Sequence, residues 1–68
     1  MKLSPKEIKV LTLVALGYSD KEIGVKLNVG YGTIRTYVDR IVHKLKARNR
    51  TNAAVIYVSK NPKLISKL

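Results

Sequence analysis

The apolar residues of the chain recur every three or four positions, and this spacing predicts four amphipathic helices. They are expected at Pro5 to Leu16, Asp20 to Leu27, Tyr31 to Lys46 and Asn52 to Lys60. No two segments carry the alternating pattern of paired strands. The sequence therefore predicts an all-α fold.

Two of these helices carry a recognisable first turn. Ser4 and Ser19 each stand three residues before a glutamate, Glu7 and Glu22, which is the spacing of a capping box. In that motif the serine and glutamate side chains bond backbone amides that the helix itself leaves free. Pro5 also suits a first helical turn. We therefore expect the first helix to begin at about Pro5 and the second at about Asp20.

The breaks between helices are marked by residues that leave the helical conformation easily. Gly17 is expected to end the first helix, and Asn28 with Gly30 to form the turn after the second. Thr51 is predicted to cap the fourth helix and Pro62 to end it.

The third predicted helix has two clearly different sides. Its apolar stripe consists of Ile34, Val38, Ile41 and Leu45. Its opposite side carries Thr36, Asp39, Arg40 and His43. The stripe is expected in the core, together with Ile8, Leu11, Val14 and Ala15 of the first helix and Ile23 and Leu27 of the second. The polar side must then face solvent or a partner.

The tight turn between the second and third helices is typical of a helix-turn-helix, in which two helices cross closely. Gly24 and Ile34 lie on either side of that turn. Glycine costs about 0.5–1 kcal/mol relative to alanine inside an exposed helix. We therefore expect Gly24 to be kept because the helices approach each other there; a neutral glycine is the alternative.

The charge of the chain narrows its partners. Fourteen Lys and Arg against four Asp and Glu give a net charge of +10. Residues 31–68 hold nine basic residues and one acid, whereas residues 1–30 hold five lysines and three acids. Such a basic surface favours nucleic acid, although simple solubility is the alternative.

The sequence lacks the residues that several classes of function require. There is no cysteine, which excludes disulfides and thiolate zinc sites. His43 alone cannot form a metal site, and no cluster of acids, histidine and nucleophile suggests catalysis. No apolar run approaches the ~20 residues of a membrane span, and residues 1–11 lack a signal-peptide core. We predict a cytoplasmic protein without enzyme activity, metal or cofactor, nucleoid-associated when bound to DNA.

Four segments then follow in a familiar order, namely LSPKEIKVL, LGYSDKEIGVKL, GTIRTYVDRIVHKL and RNRTNAAV. From Leu3 to about Val58 they resemble the LuxR/GerE-type helix-turn-helix domain. The resemblance implies a four-helix DNA-binding domain of a transcription regulator, whose third helix enters the major groove and whose fourth helix mediates dimerisation. We interpret residues 1–68 as one such domain, most similar to the free-standing GerE type; the effector domain of a longer regulator is the alternative.

A few positions depart from the family pattern. Gly24 replaces the usual alanine, Gly30 the usual capping serine, and Ala47 a valine. Tyr37 stands where histidine is common, and Asp39 where one relative uses lysine. These changes affect the expected target sequence rather than the expected fold.

The outer face of the third helix is predicted to read base edges through Arg35, Thr36, Asp39 and Arg40. An arginine can bond guanine O6 and N7 together, which is worth about 1–3 kcal/mol of discrimination. Asp39 has two interpretations. It accepts from cytosine N4, or it pairs with Arg35 four residues earlier and orients that side chain, which the spacing favours.

Phosphate contacts are predicted around this face. Basic side chains and the amides at helix starts both attract phosphate. The predicted set is Lys21, Tyr31, Thr33, Tyr37, Lys44, Lys46, Arg48 and Arg50. The alternatives are solvated surface charges for the lysines and partial burial in the core for Tyr37.

The fourth helix is apolar nearly all round, and an exposed apolar face usually marks a partner. Ala54, Val55, Tyr57 and Val58 are predicted to join two copies, placing two reading helices about one DNA turn apart. RNA polymerase is a further candidate partner of the DNA-bound homodimer. In the alternative, the segment KLISKL covers this face in a monomer.

Three rival functions remain open at this point. The fourth region of sigma factors has a similar helix-turn-helix, but the RNRTNAAV segment argues against it. A protein-interaction module would use the fourth helix for docking. A basic amphipathic peptide would lie on anionic lipid. The two capped helices joined by a turn argue for a folded domain instead.

Overall fold

Residues 3–61 are described by a computed structural model and form four α-helices. They are α1 Pro5–Ala15, α2 Asp20–Leu27, α3 Tyr31–Lys44 and α4 Arg50–Lys60. Residues 3–61 contain no strand, and the all-α prediction is confirmed. The predictions for Pro62 and for the segment KLISKL lie outside the described residues.

The two predicted capping boxes are both present. Ser4 Oγ accepts from the Glu7 amide at 3.2 Å, and Glu7 Oε1 accepts from the Ser4 amide at 2.7 Å. Ser19 and Glu22 repeat the arrangement at 3.2 and 2.8 Å. Because each box satisfies two orphan amides, the sequence fixes the starts of α1 and α2 locally.

The predicted start of the fourth helix is wrong. α4 begins at Arg50, and its cap is Asn49 rather than Thr51, which is an exposed residue of the first turn. Asn49 Oδ1 accepts from the Asn52 amide at 2.8 Å, while Asn52 Oδ1 accepts from the Arg48 amide at 3.0 Å. Asparagine caps a helix at least as well as threonine does, and this reciprocal pair satisfies two amides where Thr51 would satisfy one.

The first three helices end in the same backbone motif. Within two residues of the end of each helix, a single residue has a positive φ angle; these residues are Gly17 (φ 95°), Asn28 (φ 56°) and Lys46 (φ 53°). In each case the following amide donates to a carbonyl five residues earlier, at 2.8–3.1 Å. The predicted ends at Gly17 and Asn28 are confirmed. The third helix stops at Lys44, two residues earlier than predicted, because the chain turns at Lys46.

The core lies where α1 packs on α3 and α4 and where α2 packs on α3. Its buried apolar residues are Val10, Leu11, Ile23, Ile34, Val38, Ile41, Ala53 and Ala54. Leu27 and Leu45 pack at its edge and are half-buried. The predicted stripe of α3 therefore forms the centre of the core.

The buried face of α1 differs from the prediction. It is centred on Val10 and Leu11, while the expected core residues Ile8, Val14 and Ala15 are only half-buried. Val14 and Ala15 pack at the edge of the core and line an open groove shared with α4, which leaves them partly exposed.

Gly24 is buried at a close approach, as predicted. A Cβ atom at this position would lie 2.6 Å from the carbonyl oxygen of Val29 and 3.6 Å from the amide nitrogen of Tyr31. The close partner is therefore the backbone of the three-residue turn between α2 and α3, and not the side chain of Ile34.

Candidate nucleic-acid interface

The four predicted base-reading residues share one exposed surface on α3. Arg35, Thr36, Asp39 and Arg40 are all exposed, and so is His43 one turn further along. The opposite side of α3 is buried, which fixes the helix while leaving this surface free. The Thr36 hydroxyl donates to the Gly32 carbonyl at 3.2 Å, so it is already bound within the helix.

Arg35 and Asp39 do not form the predicted pair. The ion pairs within residues 3–61 join Lys44 to Glu7 and Arg50 to Asp20. The interpretation in which Asp39 orients Arg35 is therefore not supported. Arg40 has a different neighbour, since its guanidinium carbon lies 5.9 Å from the ring centroid of Tyr37.

The first turn of α3 differs from those of the other helices. Its N-cap is Gly30, which provides no side-chain bond, whereas the N-caps of the other three helices each provide one; like the first turn of α4, it contains no acid. The amide of Thr33 donates to the Gly30 carbonyl at 3.0 Å. Of the three amides predicted to be free, those of Tyr31 and Gly32 therefore remain available to a ligand. The Tyr31 and Thr33 side chains are exposed beside them. A helix start of this kind favours an anion.

Two predicted phosphate ligands instead bind carboxylates of the chain itself. Lys44 Nζ lies 2.8 Å from Glu7 Oε1, and their side chains are 23% and 2% exposed. Arg50 Nη1 lies 2.6 Å from Asp20 Oδ1. Because these cations are already neutralised, we do not propose them as phosphate ligands. Three other members of the predicted set, Lys21, Lys46 and Arg48, are exposed.

Glu7 is charged in spite of its burial. Burial raises the pKa of this carboxyl, but the hydrogen bonds from Lys44 and Ser4 outweigh it and hold the pKa below its usual 4.5. Its Oε2 atom is buried without a hydrogen-bond partner among the described residues. At Glu22, the hydrogen bonds from Ser19 lower the pKa of an exposed carboxyl.

The predicted dimerisation residues divide into two groups. Ala54 is 7% exposed and belongs to the core, and the half-buried Tyr57 packs against it. Val55 is 60% exposed and Val58 is half-buried. Both valines line a groove of about 790 Å³ between α4 and the end of α1.

The groove also contains residues that the sequence interpretation placed elsewhere. Val14, Ala15 and Tyr18 also line it, and so do the ion-paired Asp20 and Arg50. Val14 was expected in the core. Its position one turn after Leu11 on a helix only eleven residues long was the available sign that it lies near the end of the packed face.

No helix within residues 3–61 is long and apolar enough to cross a membrane. In the same range, no three His, Asp or Glu side chains are grouped to hold a metal ion.

Residues 1–57 match the family described as "Bacterial regulatory proteins, luxR family". YvfU, an uncharacterized transcriptional regulatory protein of Bacillus subtilis, is 44% identical over 54 residues, which are 79% of this chain and 27% of YvfU. YhjB, a putative HTH-type transcriptional regulator of Escherichia coli, is 39% identical over the same shares. LiaR, a transcriptional regulatory protein of Bacillus subtilis, is 39% identical over 87% of this chain and 28% of LiaR. The chain thus spans about a quarter of these curated relatives.

Proposed function

Because the chain belongs to the luxR family of bacterial regulatory proteins, we propose that it binds double-stranded DNA sequence-specifically as a homodimer and regulates transcription. The family consists of DNA-binding transcriptional regulators, and it is not a class of enzymes. The observation that supports base reading most directly is the outer face of α3, where Arg35 and Arg40 stand exposed, without an ion pair to any residue of 3–61, on a helix whose opposite side is buried.

The dimensions of α3 suit the major groove. A helix with its side chains is about 10–12 Å across, and the major groove of B-DNA is about 12 Å wide. With α3 in the groove, Arg35 and Arg40 reach base edges and donate to guanine. Asp39 forms no ion pair with a cation of the described residues, so its carboxylate is free to accept a hydrogen bond from cytosine N4.

Phosphate contacts come from both sides of this helix. The uncapped first turn of α3 presents the Tyr31 and Gly32 amides, with the Tyr31 and Thr33 side chains beside them. Lys21 precedes this turn along the chain, while Lys46 and Arg48 follow α3. These contacts position the helix and make binding depend on salt, whereas the arginines determine sequence preference.

The groove between α4 and α1 supports the dimer. Val55 is exposed at a groove lined by further apolar side chains, and burying it against a second copy removes apolar surface from water. A two-fold dimer would present two copies of α3 to successive turns of one face of DNA. The expected binding site is therefore an inverted repeat.

Selection of binding sites from random duplexes at two salt concentrations tests this proposal. We expect an inverted repeat and an affinity that falls steeply as salt rises. Arg35→Ala should relax the choice at one base pair, whereas the control Lys9→Ala on α1 should leave the selected sequence unchanged.

Two outcomes would contradict the proposal. Salt-sensitive binding without any selected sequence would leave a non-specific DNA-binding protein. No binding even at low salt would exclude DNA as the partner. The leading alternative would then be that the groove on α4 docks another protein.

A further inference from the structure

The two arginines on the outer face of α3 have different surroundings. The guanidinium carbon of Arg40 lies 5.9 Å from the centroid of the Tyr37 ring, three residues earlier on the helix. The cation–π contacts of the described residues are this one and that of Lys26 over Tyr18, so Arg35 has none. One arginine therefore lies against an aromatic ring and the other extends into solvent.

Tyr37 is a fixed platform for this contact. Its side chain is half-buried and packs against the core cluster that contains Ile34, Val38 and Ile41. An aromatic side chain has only two rotatable torsions, and packing against a core restricts both. The ring therefore holds its position, and a group that rests on it is held as well.

No other partner competes for the Arg40 guanidinium within residues 3–61. Its sequence neighbour Asp39 forms no ion pair with it. Lys44, the next cation along the same side of the helix, is bound to Glu7 and leaves the ring to Arg40. The Tyr37 ring is thus the group that biases the direction of this side chain.

We propose that Tyr37 is a positioning residue for base recognition, whose ring holds Arg40 in place and sharpens the preference at the base pair that Arg40 contacts. The inference rests on the proposed function of α3. An ordered guanidinium loses less rotamer freedom on binding, so more of its hydrogen-bond energy appears as discrimination. A cation–π contact at an exposed site corresponds to about a two- to fivefold effect.

This role differs from the phosphate contact that the sequence predicts for Tyr37. A phosphate contact needs the phenolic hydroxyl and strengthens binding to all sequences alike. Positioning needs only the ring and acts at one base pair. Tyr37→Phe keeps the ring without the hydroxyl, and Tyr37→Leu keeps apolar bulk against the core without the ring, so the pair separates the two roles.

The contact itself is tested in the free protein by NMR. Ring currents should shift the side-chain proton resonances of Arg40 in the wild type and in Tyr37→Phe, and the shift should disappear in Tyr37→Leu. Arg35 serves as the internal reference, because its resonances should not change. Arg40 resonances that are the same in all three proteins would overturn the inference before any DNA is added.

The role in recognition is tested by site selection and by affinities for single-base variants of the selected site. The relevant base pair is the one whose preference disappears in Arg40→Ala. There, Tyr37→Leu should lower discrimination about two- to fivefold, Tyr37→Phe should not, and Tyr37→Leu should have no further effect in the Arg40→Ala background. Thermal melts establish that each variant is folded; if Tyr37→Leu unfolds, Tyr37→Met replaces it.

Each contrary result has a distinct meaning. A uniform loss of affinity in Tyr37→Leu with unchanged base preference would make Tyr37 a packing or phosphate residue. Equal losses in Tyr37→Phe and Tyr37→Leu would assign the effect to the hydroxyl. An Arg40→Ala variant that relaxes no base pair would also overturn the inference, while a wild type that selects no sequence would remove the proposed function as well.

Discussion

Lys44 Nζ lies 2.8 Å from Glu7 Oε1, and this ion pair joins the end of α3 to the first turn of α1. The same carboxylate oxygen accepts the Ser4 amide in the capping box. Glu7 therefore both starts α1 and anchors the C-terminal end of the helix that we propose to enter DNA. Since Glu7 is 1% exposed, a neutral partner at position 44 would leave its charge buried and uncompensated.

Glu7→Gln should destabilise the protein at neutral pH by about 1–3 kcal/mol. Glutamine can still accept from the Ser4 amide, but it leaves the Lys44 ammonium without its counter-charge. Urea unfolding at pH 7 measures the loss. The matched control is Glu22→Gln, which changes the other capping box, where the glutamate is exposed and forms no ion pair with a lysine of residues 3–61. Equal losses in both variants would show that the ion pair contributes nothing beyond the cap.

The same residue makes stability depend on pH in a defined direction. The folded-state pKa of Glu7 lies below its usual 4.5, so its contribution is complete above the unfolded pKa and is lost as pH falls through the folded one. The unfolding midpoint of the wild type should therefore decrease from about pH 5 downwards. The midpoint of Glu7→Gln should decrease less than that of the wild type over this range. Parallel curves for the two proteins would contradict this assignment.

Local patterns in the sequence predicted the fold well because their causes lie within a few residues. The Ser4–Glu7 and Ser19–Glu22 boxes span three residues each, and the stripe of α3 follows from its own period. The Asn49 cap was missed because Asn49 and Thr51, two residues apart, are both suitable N-caps, and propensity alone does not decide between them.

The ion pairs could not be read in this way, since Lys44 and Glu7 are 37 residues apart. One clue was present. Glu7 lies on the same helical face as Val10 and Leu11, three and four residues later, and a carboxylate on a buried face requires a cation. In a chain with fourteen basic residues, the sequence indicates that such a cation exists but does not identify it.

Lys46 should affect stability and DNA binding in opposite directions. Its left-handed backbone (φ 53°) is unfavourable for any residue with a Cβ, so Lys46→Gly should stabilise the protein by about 0.5–1 kcal/mol. The same change removes an exposed cation beside the proposed interface. It should weaken DNA binding at all sequences and reduce the slope of log K against log salt by about 0.9.

Asn28→Gly is the control for Lys46→Gly, because Asn28 occupies the equivalent position after α2 with φ 56° but carries no charge. It should stabilise the protein somewhat less, since asparagine tolerates this conformation, and leave DNA affinity unchanged. If Lys46→Gly stabilises the protein without weakening DNA binding, Lys46 is a surface lysine and not a phosphate ligand.

Gly24 and Gly32 should respond oppositely to alanine. In Gly24→Ala the new Cβ would meet the Val29 carbonyl oxygen at 2.6 Å, and a backbone atom cannot rotate away, so we expect a loss of about 1–3 kcal/mol. Gly32 is helical and has open space around it, so Gly32→Ala should stabilise by up to about 1 kcal/mol. Denaturant midpoints compare the two. A neutral Gly24→Ala would mean that the turn moves outward at little cost and that the close approach does not explain the glycine.

Substitution of Val55 tests whether the groove on α4 is the interface between two copies of the chain. Val55→Asp places a carboxylate at a 60% exposed site, so the monomer should stay folded, with a stability change within about 0.5 kcal/mol. A dimer that buries Val55 would instead be broken, because a charge would be desolvated without a partner. Sedimentation on an inverted-repeat duplex should show two copies bound for the wild type and weak, independent binding for the variant. Val25→Asp, at an 83% exposed valine of α2, is the control for stability of the folded monomer only, because Val25 lies beside Lys21 and Tyr31 and a carboxylate there would repel phosphate. Two copies bound with unchanged affinity in Val55→Asp would exclude this groove as the dimer interface, and the exposed valine would then need a different partner.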